Sequence, residues 1–123
     1  MKSYFRIEGR LIGMNDVIAA YCSHRMKGHS LKRKETNRCS FEILRSGLRD
    51  FKNPVKVTIR WVEPNNKRDI DNIAGGGTKC ILDALCETGR LQNDTRAWVK
   101  ELHHIFPTPE PANPHVMVDI EEV

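Results

Sequence analysis

From Tyr4 to Glu8 apolar and polar residues alternate, and the run stops at Gly9, which is the two-residue period of a short strand. Asn15 then stands where it can cap a short helix through Val17, Ile18 and Tyr21. The stretch from Ser23 to Lys34 carries Arg25, Lys27, Lys32, Arg33 and Lys34 with almost nothing to bury, so it reads as an exposed basic loop. Phe41, Leu44 and Leu48 recur at helical spacing, which predicts a helix from about Leu31 to Leu48 ended by Gly47 or Asp50. Next, Val55, Val57, Ile59 and Trp61 alternate with Lys56, Thr58 and Arg60, a strand with one core face and one basic face. Ile73, Ile81, Ala84 and Leu85 follow a helical rhythm, but Gly75-Gly76-Gly77 disfavours helix by about 1 kcal/mol per glycine relative to alanine. The regular helix is therefore expected only from near Thr78, ending at Gly89. A strand from Ala97 to Phe106, a proline-spaced connection and a final strand through Val116, Val118 and Ile120 complete the chain. The order β-α-β-α-β-β predicts an α+β fold, a small mixed sheet of about four strands with two main helices.

Composition bounds this picture. At 123 residues, 39% hydrophobic and 29% charged, the chain 1–123 is sized for one globular domain, which excludes a two-domain enzyme and a disordered tail. No apolar run approaches the ~20 residues that cross a bilayer, so no membrane partner is expected. Cys22, Cys39, Cys80 and Cys86 contain no C-x-x-C pair and no secretion signal opens the chain, so a reducing, cytoplasmic setting is expected. Cys22 with His24, or His103 with His104, could begin a zinc site, but no second pair at zinc-finger spacing follows either.

The net charge of +4 is the sum of two opposed halves. Residues 1–60 hold 14 Lys+Arg against 5 Asp+Glu, and residues 61–123 hold 6 against 11, giving +9 and −5. A cationic half favours an anionic partner such as nucleic acid; ordinary solvated surface explains it equally well. Lys32, Arg33 and Lys34, together with Lys67 and Arg68, are the candidates for phosphate contacts.

The candidate chemistry lies in Lys67-Arg68-Asp69-Ile70-Asp71-Asn72. If the chain is extended there, Asp69 and Asp71 project to one side about 6 to 7 Å apart at their Cα atoms, within reach of one divalent cation. Asp94, beyond the following helix, is the candidate third carboxylate, and Lys79 lies one helical turn before Asp83. The competing reading of Asp-x-Asp is a turn or helix N-terminus, where aspartate caps orphan amides. Gly75-Gly76-Gly77-Thr78-Lys79 lacks the residue order of a phosphate loop. Trp61 and Trp98 fall in strand patterns and read as core.

The run Lys67 to Asn72, then Lys79 with Ile81-Leu82-Asp83-Ala84-Leu85, Gly89 and Leu91-Gln92-Asn93-Asp94, resembles the RusA family of phage and prophage Holliday-junction resolvases. Gly9-Arg10-Leu11 and Asn15 extend the likeness more loosely. The resemblance implies a homodimeric, Mg²⁺-dependent endodeoxyribonuclease, with Mn²⁺ able to substitute, that binds four-way DNA junctions and makes paired symmetric nicks. It further implies Asp69, Asp71 and Asp94 as metal-binding catalytic carboxylates and Lys79 as the catalytic lysine. Lys79 stands eight residues after Asp71 where the better-known family pattern has four, a difference close to one helical turn. The alternative is a non-catalytic protein that recognises branched DNA.

Overall fold

Seven elements follow one another in the computed structural model, which describes residues 2–123: β1 (Tyr4–Glu8), α1 (Met14–Ser23), α2 (Arg25–Ser46), β2 (Val55–Val62), α3 (Ile70–Glu87), β3 (Val99–Ile105) and β4 (His115–Glu122). The strands form one mixed sheet in the order β1-β4-β2-β3. β4 pairs antiparallel with both β1 and β2, while β2 and β3 run parallel. The architecture is the expected α+β domain, with the expected short helix as α1 beside the two main helices.

Alternation along β2 works as its pattern demands. Val55, Val57, Ile59 and Trp61 are buried against Val116, Val118 and Ile120 of β4, Phe5 and Ile7 of β1, and the helices α2 and α3. Fully burying each such side chain contributes about 1.5 to 3 kcal/mol. Lys56, Thr58 and Arg60 point to the opposite, polar face of the sheet. Trp61 belongs to the core and donates its indole N–H to His104 Nδ1 at 3.0 Å, whereas Trp98 is only half-buried just before β3.

Four expectations about the helices are corrected. α2 begins at Arg25, so the basic stretch read as a loop is helical: Ser23 ends α1 and Arg25–Lys34 form the first turns of α2. His24 starts it by accepting the Met26 amide on Nδ1, and Gly28 lets the Tyr21 ring of α1 lie so close that a Cβ there would sit 2.4 Å from it. The apolar stripe Phe41, Leu44 and Leu48 is not the core face either: Phe41 and Leu44 are exposed. Cys39 and Ile43 face the core, flanked by Glu35 and Glu42, which Arg38 and Arg45 pair from three residues on. Gly47, at φ +78, ends the helix as expected.

α3 runs unbroken from Ile70, so the three glycines do not delay it to Thr78. A Cβ on Gly76 would lie 2.2 Å from the Ile12 carbonyl oxygen, and one on Gly77 would lie 2.9 Å from Leu11. Here the segment entering α1 crosses α3 backbone against backbone, and that contact offsets the helical cost of glycine. α1 itself opens at Gly13 rather than being capped by Asn15. Among the described residues no helix is long and apolar enough to cross a membrane.

Candidate functional site

The six residues Lys67–Asn72 divide into two sets. Arg68 is 13% exposed at its side chain and donates to both carboxylate oxygens of Glu63 (8% exposed), from Nε at 2.8 Å and from Nη2 at 2.7 Å. Its remaining nitrogen, Nη1, donates to the Leu11 carbonyl at 3.2 Å. Asn72 Oδ1 accepts the Asn15 amide at 2.8 Å, and both side chains close over Gly13. Arg68 and Asn72 thus clamp the Leu11–Asn15 segment to the start of α3. A buried guanidinium with a bidentate carboxylate partner is rigid and geometrically specific. Arg68 is consequently a structural cation, not the free phosphate contact expected of it.

Asp69 and Asp71 form the other set. β2 has ended at Val62, so the pair is not at the end of an extended strand as one reading supposed; Asp69 is the N-cap residue of α3 and Asp71 lies in its first turn. The Asp69 side chain makes no capping hydrogen bond, and Asp71 Oδ1 accepts only the neighbouring Asn72 amide at 3.0 Å. Both carboxylates are exposed, and among the described residues neither has an ion-pair partner. The positive end of the helix dipole favours negative charge at that position.

Lys79 and Asp94 meet further along the helix. Lys79 Nζ lies 2.9 Å from Asp94 Oδ2 and 2.9 Å from Asp83 Oδ1, bridging the loop after α3 to the helix. The bonds to Asp94 and then Asp83 raise the Lys79 pKa above that of a free ammonium, and the Lys79 bond lowers that of Asp94. Eight residues along a helix separate Lys79 from Asp71 by about 12 Å of rise. The expected trio of Asp69, Asp71 and Asp94 is not assembled: among the described residues no three His, Cys, Asp or Glu side chains come together as a metal-holding group.

Asp69 and Asp71 nevertheless present the donor chemistry that a hard divalent cation takes. Mg²⁺ commonly takes one or two protein carboxylates, with water and substrate phosphate completing its shell. The two are exposed carboxylates of that type at an open helix start, and Asp94, held by Lys79, is outside the set.

The cationic candidates also separate. Arg33 is held by Glu87 in a two-bond pair at 2.8 and 2.6 Å. Lys34 and Lys67 are exposed, Lys32 is half-buried, and none of the three has an ion-pair partner among the described residues. Lys32 and Arg33 line a groove of about 330 Å³ with Tyr21 of α1 and with Asp83 and Glu87 of α3, one turn from Lys79. Glu63 and the clamping role of Asn72 are what sequence reasoning missed. Their partners lie in other elements, and no local pattern announced them.

The chain matches no protein-family model and no curated protein.

Proposed function

We propose that this chain is a metal-dependent, structure-specific endodeoxyribonuclease that resolves Holliday junctions by paired symmetric nicks, acting in the cytoplasm in DNA recombination and repair. The observation that carries the reading is the pair Asp69 and Asp71, exposed and without an ion-pair partner among the described residues, at a helix start that Arg68 and Asn72 hold rigid. The resemblance of Lys67–Asn72, Lys79 and Ile81–Leu85 to the RusA resolvases supports it.

Asp69 and Asp71 would hold the cation, and the scissile phosphate would complete its shell. Held by Asp69 and Asp71, Mg²⁺, or Mn²⁺ in its place, would supply an activated water and charge stabilisation at the phosphate and the leaving oxygen. Lys79 stays positively charged at neutral pH, but it must leave Asp83 or Asp94 to meet a phosphate near Asp71. Exposed Lys34 and Lys67 supply sequence-independent contacts to the DNA backbone. Paired nicks on a two-fold junction require two sites related by a two-fold axis, and hence a homodimer.

One observation favours a second reading. Because Lys79 occupies Asp94, the three carboxylates of an active resolvase are not together, as in a protein that binds branched DNA without cutting it. A labelled four-way junction incubated with the protein in Mg²⁺, in EDTA, and with Asp71→Asn separates the two. The nuclease cuts only in Mg²⁺, and the variant binds without cutting. Binding without cleavage by the unaltered protein in Mg²⁺ rejects the nuclease, and cleavage unaffected by the substitution rejects the site.

A further inference from the structure

The two edges of the sheet differ. β1 lies beside α2, and the residue before its first turn, Lys2, bridges to Leu48. β3, at the other edge, has no partner on its outer side among the described residues. Lys100, Glu101, Leu102 and His103 are consecutively exposed on it. An open strand edge presents unpaired amides and carbonyls that another strand can complete, and proteins usually block it with proline or a covering element. β3 contains no proline, and its one irregularity, a register shift between Val99 and Glu101 against β2, leaves Glu101–Ile105 regular.

Apolar surface accompanies this edge. Leu102 is 39% exposed and Phe106 36%, both on the side of the strand that faces the helices. Ile70, at the start of α3, is 62% exposed and lines one hollow with Phe106 and Pro107. Phe106 and Pro107 thus meet Ile70 at the first turn of α3, where Asp69 and Asp71 stand.

We propose that β3 is the dimer edge: two copies pair β3 with β3, antiparallel, about a two-fold axis at Leu102, joining two four-stranded sheets into one of eight. Side-chain complementarity chooses the occupant and the register. When both helix layers lie on one side of the joined sheet, paired residues must share a face, so the axis passes through a residue. With the axis at Leu102, Leu102 meets the partner's Leu102, and Glu101 stands opposite the partner's His103 on both sides of the axis. An axis at His103 sets histidine on histidine and places Glu101 opposite isoleucine. One at His104 pairs two rings already engaged by Trp61. Only the Leu102 register sets carboxylate against imidazole and joins like apolar groups. Glu101 and His103 already pair within one strand at 2.8 Å, so each is oriented toward the open face where the crossing contact forms. The exposed Phe41 and Leu44 on α2 offer no such complementarity, since Arg45 stacks over Phe41 and Lys34 and Arg33 continue the same face.

This surface deepens the two-fold assembly proposed above, but its test reads mass and cross-linking, not cleavage. The full chain should run as a dimer in light scattering, and Leu102→Arg should halve the mass while Phe41→Arg leaves it unchanged. Circular dichroism checks that each variant is folded. Should Leu102→Arg fail to fold, Glu101→Lys serves instead: it should weaken the dimer at least tenfold, and adding His103→Glu should restore it. In a Cys22→Ser background, Leu102→Cys should cross-link to a covalent dimer on oxidation, because facing strand residues lie within disulfide range; Thr108→Cys should not. A monomeric chain, a dimer broken by Phe41→Arg instead of Leu102→Arg, or cross-linking at Thr108 alone overturns the proposal. Each of those results leaves metal-dependent cleavage to stand or fall on its own assay.

Discussion

The exposed face of α3 carries two acidic regions with opposite electrostatics. At the first turn, Asp69 and Asp71 stand exposed with no ion-pair partner among the described residues. Two turns on, Asp83 and Asp94 share the ammonium of Lys79. The first region offers a vacant charge that a metal can satisfy; the second is already neutralised from within the chain. Residue type alone treats these carboxylates as equivalent, and their partners make them different. The distinction matters for mechanism because a cation entering at Asp94 has to displace Lys79, whereas one entering at Asp69 and Asp71 displaces only water.

Removing the first region's charge should have the largest functional effect. Asp71→Asn should lower junction cleavage by on the order of 100-fold or more, as loss of a metal ligand does, while thermal stability stays within about 0.5 kcal/mol because the side chain is exposed. A chevron-free check is enough: single-turnover cleavage beside a thermal melt. Breaking the support beneath that region should have the largest structural effect. Gly76→Ala drives a Cβ toward the Ile12 carbonyl and the Gly13 backbone, neither of which can rotate away. The expected loss is about 3 kcal/mol, roughly 10 °C in the melting temperature. An unchanged melt would mean that α1 and α3 do not cross as closely as described.

The second region should respond mildly and with a defined pH dependence. Lys79→Met should cost less than about 1 kcal/mol, since the pair is half exposed and screened by solvent. Asp94 is held below the ordinary carboxylate range by Lys79, so its contribution is present above the unfolded value of about 3.9 and disappears as pH falls through the lower folded value. Lys79 is shifted upward, so its contribution is complete below about 10.4 and is lost only as pH rises through the higher folded value. Unfolding curves of the protein and of Lys79→Met should therefore differ between about pH 5 and 10 and converge toward pH 2. Convergence already at pH 6 would contradict the pairing. Smallest of all, Lys34→Gln should weaken DNA binding uniformly across sequences and reduce the salt slope by about 1, while Arg33→Gln, whose charge Glu87 already engages, should do less.

How much of this was legible in the sequence depends on how local the cause is. β2 and β4 read correctly because alternation reports a buried neighbour on one face only. α3 was read short because helix propensity penalises Gly75–Gly77, while the reason for them, the crossing of Ile12 and Gly13, lies over 60 residues away. The α2 stripe misled because Glu35 and Glu42 can be buried once Arg38 and Arg45 pair them, leaving Phe41 and Leu44 outside.

The charge halves misled in a similar way. Arg10, Arg33, Arg49 and Lys56 of the basic half pair with Glu63, Glu87, Glu122 and Glu121 of the acidic half, so opposition along the chain becomes ion pairing in space. At the candidate site, residue type singled out Asp69 and Asp71, while the extended spacing assumed for them gave way to a helix start. The roles of Arg68 and Asn72 were not, since Glu63, Leu11 and Asn15 complete them from other elements.

The most direct test of the central claim is paramagnetic broadening of backbone amide signals on titrating Mn²⁺ into the protein. The account predicts broadening centred on residues 69–72, abolished by Asp71→Asn, with the signals of residues 93–95 affected only later in the titration. Broadening centred on 93–95, or none below millimolar Mn²⁺, would contradict it.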